Sequence, residues 1–272
     1  MMFNNIKVLV RGAGDLATGV IHTLYQAGFK VVATEVENPL VVRRTVSLAE
    51  AIYQEEFTVQ EVTASKVDDF VKLDRVLADA KVPIIVDPEA KVINYWQPQI
   101  VIDAIMAKRN LGTRKNDAEI VIALGPGFTA KEDVDAVIET NRGHNLGRII
   151  KKGQAQPNTG VPGQIAGYGK ERVLKSSISG IFTSDKKIGE EISVGETFAY
   201  VGDREIKAKI SGVIRGLLKS GIKVKAGTKL GDIDPRDVKE NCYTISDKAR
   251  TIGGAVLTAI FILDREKHVL EE

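Results

Sequence analysis

The stretch KVLVRGAGDLATG, residues 7–19, passes from an apolar run into glycines at 12, 14 and 19, with alanine at 17. Gly12, Gly14 and Ala17 satisfy the spacing G-x-G-x-x-G/A. In that pattern the first glycine permits a sharp turn, the second lets backbone approach an anion, and the third position allows close helix packing. The context is a βαβ unit. IKVLV (6–10) and KVVAT (30–34) read as strands, and Leu16, Val20, Ile21, Leu24 and Ala27 recur between them at helical spacing. Asp15 is placed to cap that helix and Gly28 to end it. A helix N-terminus offers N–H groups and positive potential to a phosphate, so Gly12, Gly14, Asp15 and Ala17 are candidate cofactor-binding residues. Asp15 turned inward would repel a pyrophosphate; turned away it would cap the helix or hold a ligand hydroxyl.

Further apolar runs extend the unit into a parallel sheet. VPIIVD (82–87), QIVIDAI (99–105) and EIVIALG (119–125) look like strands buried on both faces. FTVQEV (57–62) reads as an edge strand, and SLAEAIYQ (47–54) and DDFVKLDRVLADA (68–80) as covering helices. Glu35 stands where an acidic residue holds the ribose hydroxyls of NAD, and Arg43 and Arg44 follow within one loop, able to grip a phosphate or carboxylate. GPGFTA (125–130) supplies a second glycine pair, Gly125 and Gly127, at the same carboxyl edge. It lacks the Gly-Lys-Ser/Thr ending of a P-loop. Arg142 and His144 occur in a glycine-flanked turn with Glu139 and Asn141, Arg142 as a binding residue and His144 as a candidate acid or base. Asp103 interrupts an apolar strand and so requires a partner.

The style changes at GQAQPNTGVPGQIAGYGK (153–170), a long loop or domain boundary. Beyond it lies an internal repeat with an offset of 32, in which SISGIF (177–182) matches KISGVI (209–214) and glycines 180, 189 and 195 fall on 212, 221 and 227. The repeat suggests a small barrel-sandwich resembling the lipoyl and biotinyl carrier domains. The hairpin that presents the modified lysine in those carriers would fall at YVGDREIK (200–207), but their signature is absent and Val201 stands near the lysine position. The expected architecture is α/β: a Rossmann-like parallel-sheet domain over 1–155, a barrel-sandwich β domain over 156–236, and a helical segment over 237–272 packing back on the first domain.

Composition narrows the function classes. The chain has 272 residues, and 38 basic against 36 acidic side chains leave a net charge of +2, no broad field for nucleic acid or an anionic membrane. One cysteine, Cys242, provides no disulfide framework and suits a reducing, cytoplasmic compartment. The start MMFNNIK lacks a signal-peptide pattern. TIGGAVLTAIFIL (251–263) is shorter than the roughly 20 residues of a spanning helix and reads as a buried helix. His22, His144 and His268 have no metal-ligand spacing, so no metal site is expected.

Over RGAGDLATG (11–19), ATEVENPLVVRRTVSLAEA (33–51), VDAVIETNRGHNLGRII (134–150), PNTGVPG (157–163) and ISDKARTIGGAVL (245–257) the chain resembles the YqeB-type accessory proteins of selenium-dependent molybdenum hydroxylases, relatives of XdhC-type chaperones. The resemblance implies a cytoplasmic protein that helps mature a molybdenum hydroxylase apo-enzyme and binds a phosphate-bearing small molecule, a nucleotide or the molybdopterin-type molybdenum cofactor. The rival reading is an NAD(P)-dependent oxidoreductase with His144 as proton donor. The residues leave open whether the chain is an enzyme or a chaperone, and whether it forms a homodimer.

Overall fold

A computed structural model describes residues 3–271, and the chain divides into two compact units. The first runs through Pro39, from Leu48 to Asn158 and from Ile245 onward; the second comprises Leu40–Ser47 and Thr159–Thr244.

In the first unit, β1 (Lys7–Arg11), α1 (Asp15–Gln26) and β2 (Lys30–Glu35) form a βαβ element, with β1 and β2 parallel. The chain continues through α2 (Ala51–Gln54), β3 (Glu56–Val59), β4 (Val62–Val67), α3 (Leu73–Ala78), β5 (Val82–Val86), α4 (Val92–Trp96) and β6 (Ile100–Asp103). It then forms β7 (Ile120–Leu124), β8 (Thr129–Ala130), β9 (Ala136–Ile138), β10 (Ile149–Ile150) and β11 (Gly153–Gln154), and returns after the second unit as α5 (Asp247–Lys267). Nine strands make one sheet in the order β10-β9-β7-β6-β1-β2-β5-β4-β3. The seven from β9 to β4 run parallel, while β10 and β3 lie antiparallel at the two edges.

The alternation of strand side chains divides the core between two faces. On one, Leu9, Val32, Val101 and Val121 pack with Leu73, Val92 and Trp96 of the α3–α4 side. On the other lie α1 and α5, which touch so closely that a Cβ on Gly19 would meet the Ala249 carbonyl oxygen at 2.5 Å and one on Gly253 would strike Thr23. Small residues here let two helix backbones approach, and both helices start at the carboxyl edge of the sheet. Each fully buried Val, Ile or Leu contributes about 1.5–3 kcal/mol, which is why the apolar strand runs dominate this unit's assembly.

The second unit contains β12 (Val173–Lys175), β13 (Gly180–Thr183), β14 (Glu191–Ile192), β15 (Thr197–Val201), β16 (Arg204–Lys207), β17 (Gly212–Leu217), β18 (Lys223–Val224) and β19 (Lys229–Asp234). They form two four-stranded antiparallel sheets, β12-β19-β17-β14 and β16-β15-β13-β18. β13 pairs with β18 and β14 with β17, so each sheet draws strands from both repeat halves. Phe182, Phe198, Val201, Val213, Leu230 and Ile233 are buried within this unit.

Two expectations of fold class are corrected. The large sheet is mixed, not the parallel Rossmann-like sheet expected: FTVQEV is no single strand but the end of β3, a turn at Gln60–Glu61 and the start of β4. Likewise the stretch after Ile138 turns back as the two-residue β10. The second unit is two four-stranded antiparallel sheets and not the lipoyl-like barrel-sandwich, because β12, which precedes the repeat, adds to β19 and closes one sheet.

Candidate functional site

The loop after β1 is engaged by the protein itself. Glu35, ending β2, accepts a hydrogen bond from the Ala13 amide through Oε2 at 2.9 Å and one from the Val36 amide through Oε1 at 2.8 Å. Burial pushes the Glu35 carboxyl above its ordinary value, against the pull of those two amides. The Ala13 carbonyl accepts from the Ala49 amide at 2.8 Å and from Thr18 Oγ1 at 3.2 Å, and Thr18 Oγ1 in turn accepts from the Leu48 amide. Gly12, at φ +97°, lies against the loop after β6: a Cβ there would come within 3.0 Å of the Ala104 carbonyl oxygen. The order of strands reverses between β1 and β6, where open α/β sheets present their crevice. Here the backbones after β1 and β6 pack closely at Gly12.

Beneath this loop lies a sealed polar network. Arg11 and Asp103 are neighbours in the β1–β6 register, each 2% exposed. Arg11 Nη1 donates to Thr113 Oγ1 at 2.5 Å, and Thr113 Oγ1 donates to Asp103 Oδ2 at 2.5 Å. The other guanidinium arm reaches the Pro88 carbonyl at 3.1 Å, and the Ile105 amide donates to Asp103 at 3.2 Å. Burial raises the Asp103 carboxyl; the Thr113 hydrogen bond and the Arg11 charge act in the opposite sense.

A second, open cluster gathers where α1 and α5 begin. Ser246 caps α5 by accepting from the Ala249 amide, and Asp247 makes a bidentate pair with Arg142, at 2.7 and 3.1 Å. Glu139, 2% exposed, braces the turn from β9 to β10 by accepting from the Asn141 and Gln156 amides at 2.7 Å. Lys248 lies among Arg142, Asp15, Glu139 and Asp247. Burial lowers its amine below the usual lysine value and Arg142 adds to that, while the three carboxylates oppose it. A partly buried lysine beside a cation holds more of its neutral amine at a given pH than a fully solvated one.

The structure therefore brings together only some of the residues expected from sequence. Asp15, the first residue of α1, and Arg142 belong to the open cluster; Ala17 is buried within α1, and Gly14 precedes that helix without a side-chain cap. Gly125 packs on Thr140 and Met106, Gly127 on the backbone of Lys108 and Arg109. His144 is exposed in the turn before β10. Arg43 and Arg44 lie in the second unit, where Arg43 Nη2 donates to the carbonyls of Asn241 and Thr244 at 3.0 and 3.3 Å. Cys242 is buried there, its thiol raised chiefly by desolvation. Lys248 and Asp247 are the residues the motif reading missed. Their local signal, a serine cap followed by Asp and Lys, is common to many helices. Among the described residues no group of three or more His, Cys, Asp or Glu could hold a metal ion, and no helix is long and apolar enough to cross a membrane.

The chain is 47% identical over 269 residues, 97% of its length, to Uncharacterized protein YqeB of Escherichia coli strain K12, and spans about half the length of that curated relative. The YqeB resemblance thus stands as sequence similarity, and that description assigns no selenium or molybdenum role. No family model matches. Among solved structures, the chain is similar to a succinylglutamate desuccinylase/aspartoacylase from Rhodobacter sphaeroides at 12% identity and TM-score 0.27, with 85% of each chain covered. It is also similar to an aspartoacylase family protein from Mesorhizobium loti, at 12% identity, TM-score 0.29 and 84% of each chain. A third is the product-bound ectoine utilization protein EutE (DoeB) from Ruegeria pomeroyi, at 12% identity and TM-score 0.25, covering 84% of this chain and 85% of that one.

The Ala13 amide is taken by Glu35 and Gly12 packs against Ala104, so this part of the loop meets the protein's own carboxylate where a cofactor phosphate was expected. The expected maturation role for a selenium-dependent molybdenum hydroxylase is corrected accordingly. So are its apo-enzyme and phosphate-bearing partners, its XdhC-like character and the NAD(P)-dependent alternative.

Proposed function

We propose that the first unit acts on a small molecule at the carboxyl edge of its sheet, with Lys248 as the reactive amine. The observation that carries this reading is the placement of Lys248: desolvated, on the first turn of α5, beside the start of α1, with Arg142 as its nearest cationic influence. A lysine whose amine is pushed down holds more of its neutral form near neutral pH and so takes a proton or attacks a carbonyl carbon. The N-terminus of α1, which has no side-chain cap, favours an anionic group on the same ligand, which makes small oxo-acids the substrate class. The amine lone pair forms a C–N bond to the carbonyl carbon, and the carbonyl oxygen leaves as water to give an imine. Asp15, at the start of α1, is the carboxylate assigned to exchange the protons. A cytoplasmic location, where Cys242 keeps its thiol, is part of this reading.

Borohydride reduction in the presence of a panel of small oxo-acids, followed by peptide mass mapping, tests it. A covalent adduct is expected on Lys248 and is lost in Lys248→Arg. Competitive acetylation at pH 8 is expected to label Lys248 ahead of the surface lysine Lys91, whose neighbour Glu89 holds its amine above the usual value. No trapping by any oxo-acid, with Lys248 no more reactive than Lys91, overturns the reading.

A further inference from the structure

The second unit carries a separate electropositive cleft of about 550 Å³, lined by Lys170, Lys175, Arg204, Lys207 and Lys209, with Glu205 as the carboxylate among its lining residues. Glu205 is already committed: its Oε1 accepts from Thr197 Oγ1 at 2.5 Å, and its Oε2 lies 3.4 Å from Lys207 Nζ. Glu171, outside the lining, adds its charge near Lys170 and Lys209. Among the described residues Lys170, Lys175, Arg204 and Lys209 form no ion pair, so positive charge is left in excess in a chain whose net charge is only +2.

Two sheet edges border the same cleft. β16 is the outer strand of one sheet and β12 the outer strand of the other, and both contribute lining residues. On its inner side β16 pairs with β15 from Val201↔Arg204 to Thr197↔Lys207; its outer backbone groups have no strand beside them. Lysines on an edge strand repel most approaching strands, yet the same charges select one that brings carboxylates. Small-ligand pockets are mostly apolar with a few placed polar groups, and this lining is dominated by cations. Open strand edges, moreover, offer hydrogen bonds that only a ligand with a peptide backbone uses along its length.

We propose that this cleft receives an extended acidic segment of a partner protein. Its backbone adds to the free edge of β16, and its carboxylates meet Arg204 on one face of that strand and Lys207 on the other, with Lys209 just beyond the strand's end.

Fluorescence anisotropy with the full chain tests the proposal, the probe being a labelled peptide in which threonine at every third residue interrupts a run of glutamates, so that both faces carry carboxylates, and the control its glutamine counterpart. The glutamate peptide is expected to bind and the glutamine peptide not. Arg204→Glu combined with Lys207→Glu is expected to weaken binding about tenfold or more, and added salt to weaken it further. Arg204→Lys with Lys207→Arg retains binding, and thermal melting confirms that these surface variants fold. Methylating alternate peptide amides is expected to weaken binding as well, which separates strand addition from bare charge attraction. Absence of binding, indifference to charge reversal, or indifference to amide methylation overturns the proposal. So does displacement of the probe by citrate or a single-stranded oligonucleotide at lower concentration than by unlabelled peptide, which would assign the cleft to those anions.

Discussion

Arg11, Thr113 and Asp103 lie sealed between β1 and β6, whereas Arg142 and Asp247 are exposed beside the turn that follows β9, with Lys248 half-buried next to them. Both groups sit at the carboxyl edge of one sheet, and both join a cation to a carboxylate. In the sealed group one threonine hydroxyl accepts from Arg11 and donates to Asp103, and further hydrogen bonds go to the Pro88 carbonyl and from the Ile105 amide. Such a group ties neighbouring strands and loops to one another. In the open group Arg142 and Asp247 satisfy each other, while Lys248 is desolvated with its amine pushed down. The difference separates a structural cluster from a candidate reactive one more clearly than residue type could.

The largest expected effect breaks the sealed cluster. Asp103→Ala leaves Arg11 buried without its carboxylate and should cost about 3–5 kcal/mol of folding stability, the range for removing one member of a buried ion pair. Urea unfolding of the variant measures it. A loss below that range, similar to a surface substitution, would show that water or a rearranged loop satisfies Arg11 and that the cluster is less sealed than its burial indicates.

A smaller effect sharpens the same comparison through pH. Burial raises Asp103 above its ordinary 3.8, so the folded chain binds more protons than the unfolded chain from about pH 3.8 up to the raised value. The stability attributable to this group therefore falls as pH rises through that window and stays lower above it. Asp103→Asn removes the titration. Urea midpoints taken at intervals from pH 4 to 7 should show the variant gaining on the parent protein as pH rises. A constant difference, or a change in the other direction, would mean that the hydrogen bonds from Thr113 and Ile105 outweigh burial.

The two clusters were not equally legible before the fold was known. Arg11 and Asp103 sit in strands whose Val and Ile runs announce them, and a carboxylate inside QIVIDAI demands a partner. The βαβ element was readable for the same reason. The sheet edges were not: β8, β10 and β11 are two residues each, too short for any hydrophobic period, and the β3–β4 turn is made by Gln60 at φ +50° with no glycine or proline to mark it. Glu35 was legible at the end of β2, but spacing alone does not reveal the hydrogen bond it accepts from the Ala13 amide. Arg43 and Arg44 follow Glu35 closely in sequence, but the chain enters the second unit at Leu40. Lys248 lies more than a hundred residues beyond Arg142, and only the return of α5 beside α1 joins them.

The smallest change in stability carries the most specific test of the open cluster. Arg142 and Asp247 form an exposed pair, so Arg142→Ala and Asp247→Asn should each alter stability by no more than about 1 kcal/mol. Their effects on Lys248 should nevertheless have opposite signs. Arg142 holds the Lys248 amine down and Asp247 holds it up. Removing the guanidinium leaves less neutral amine at a given pH, and removing the carboxylate leaves more. Competitive acetylation across pH 7 to 10 should therefore show Lys248 labelling more slowly in Arg142→Ala and faster in Asp247→Asn than in the parent. Equal shifts in the same direction would point to a disturbed start of α5. No shift in either would mean that burial alone sets the amine, leaving Arg142 free of any role in the chemistry proposed for this edge.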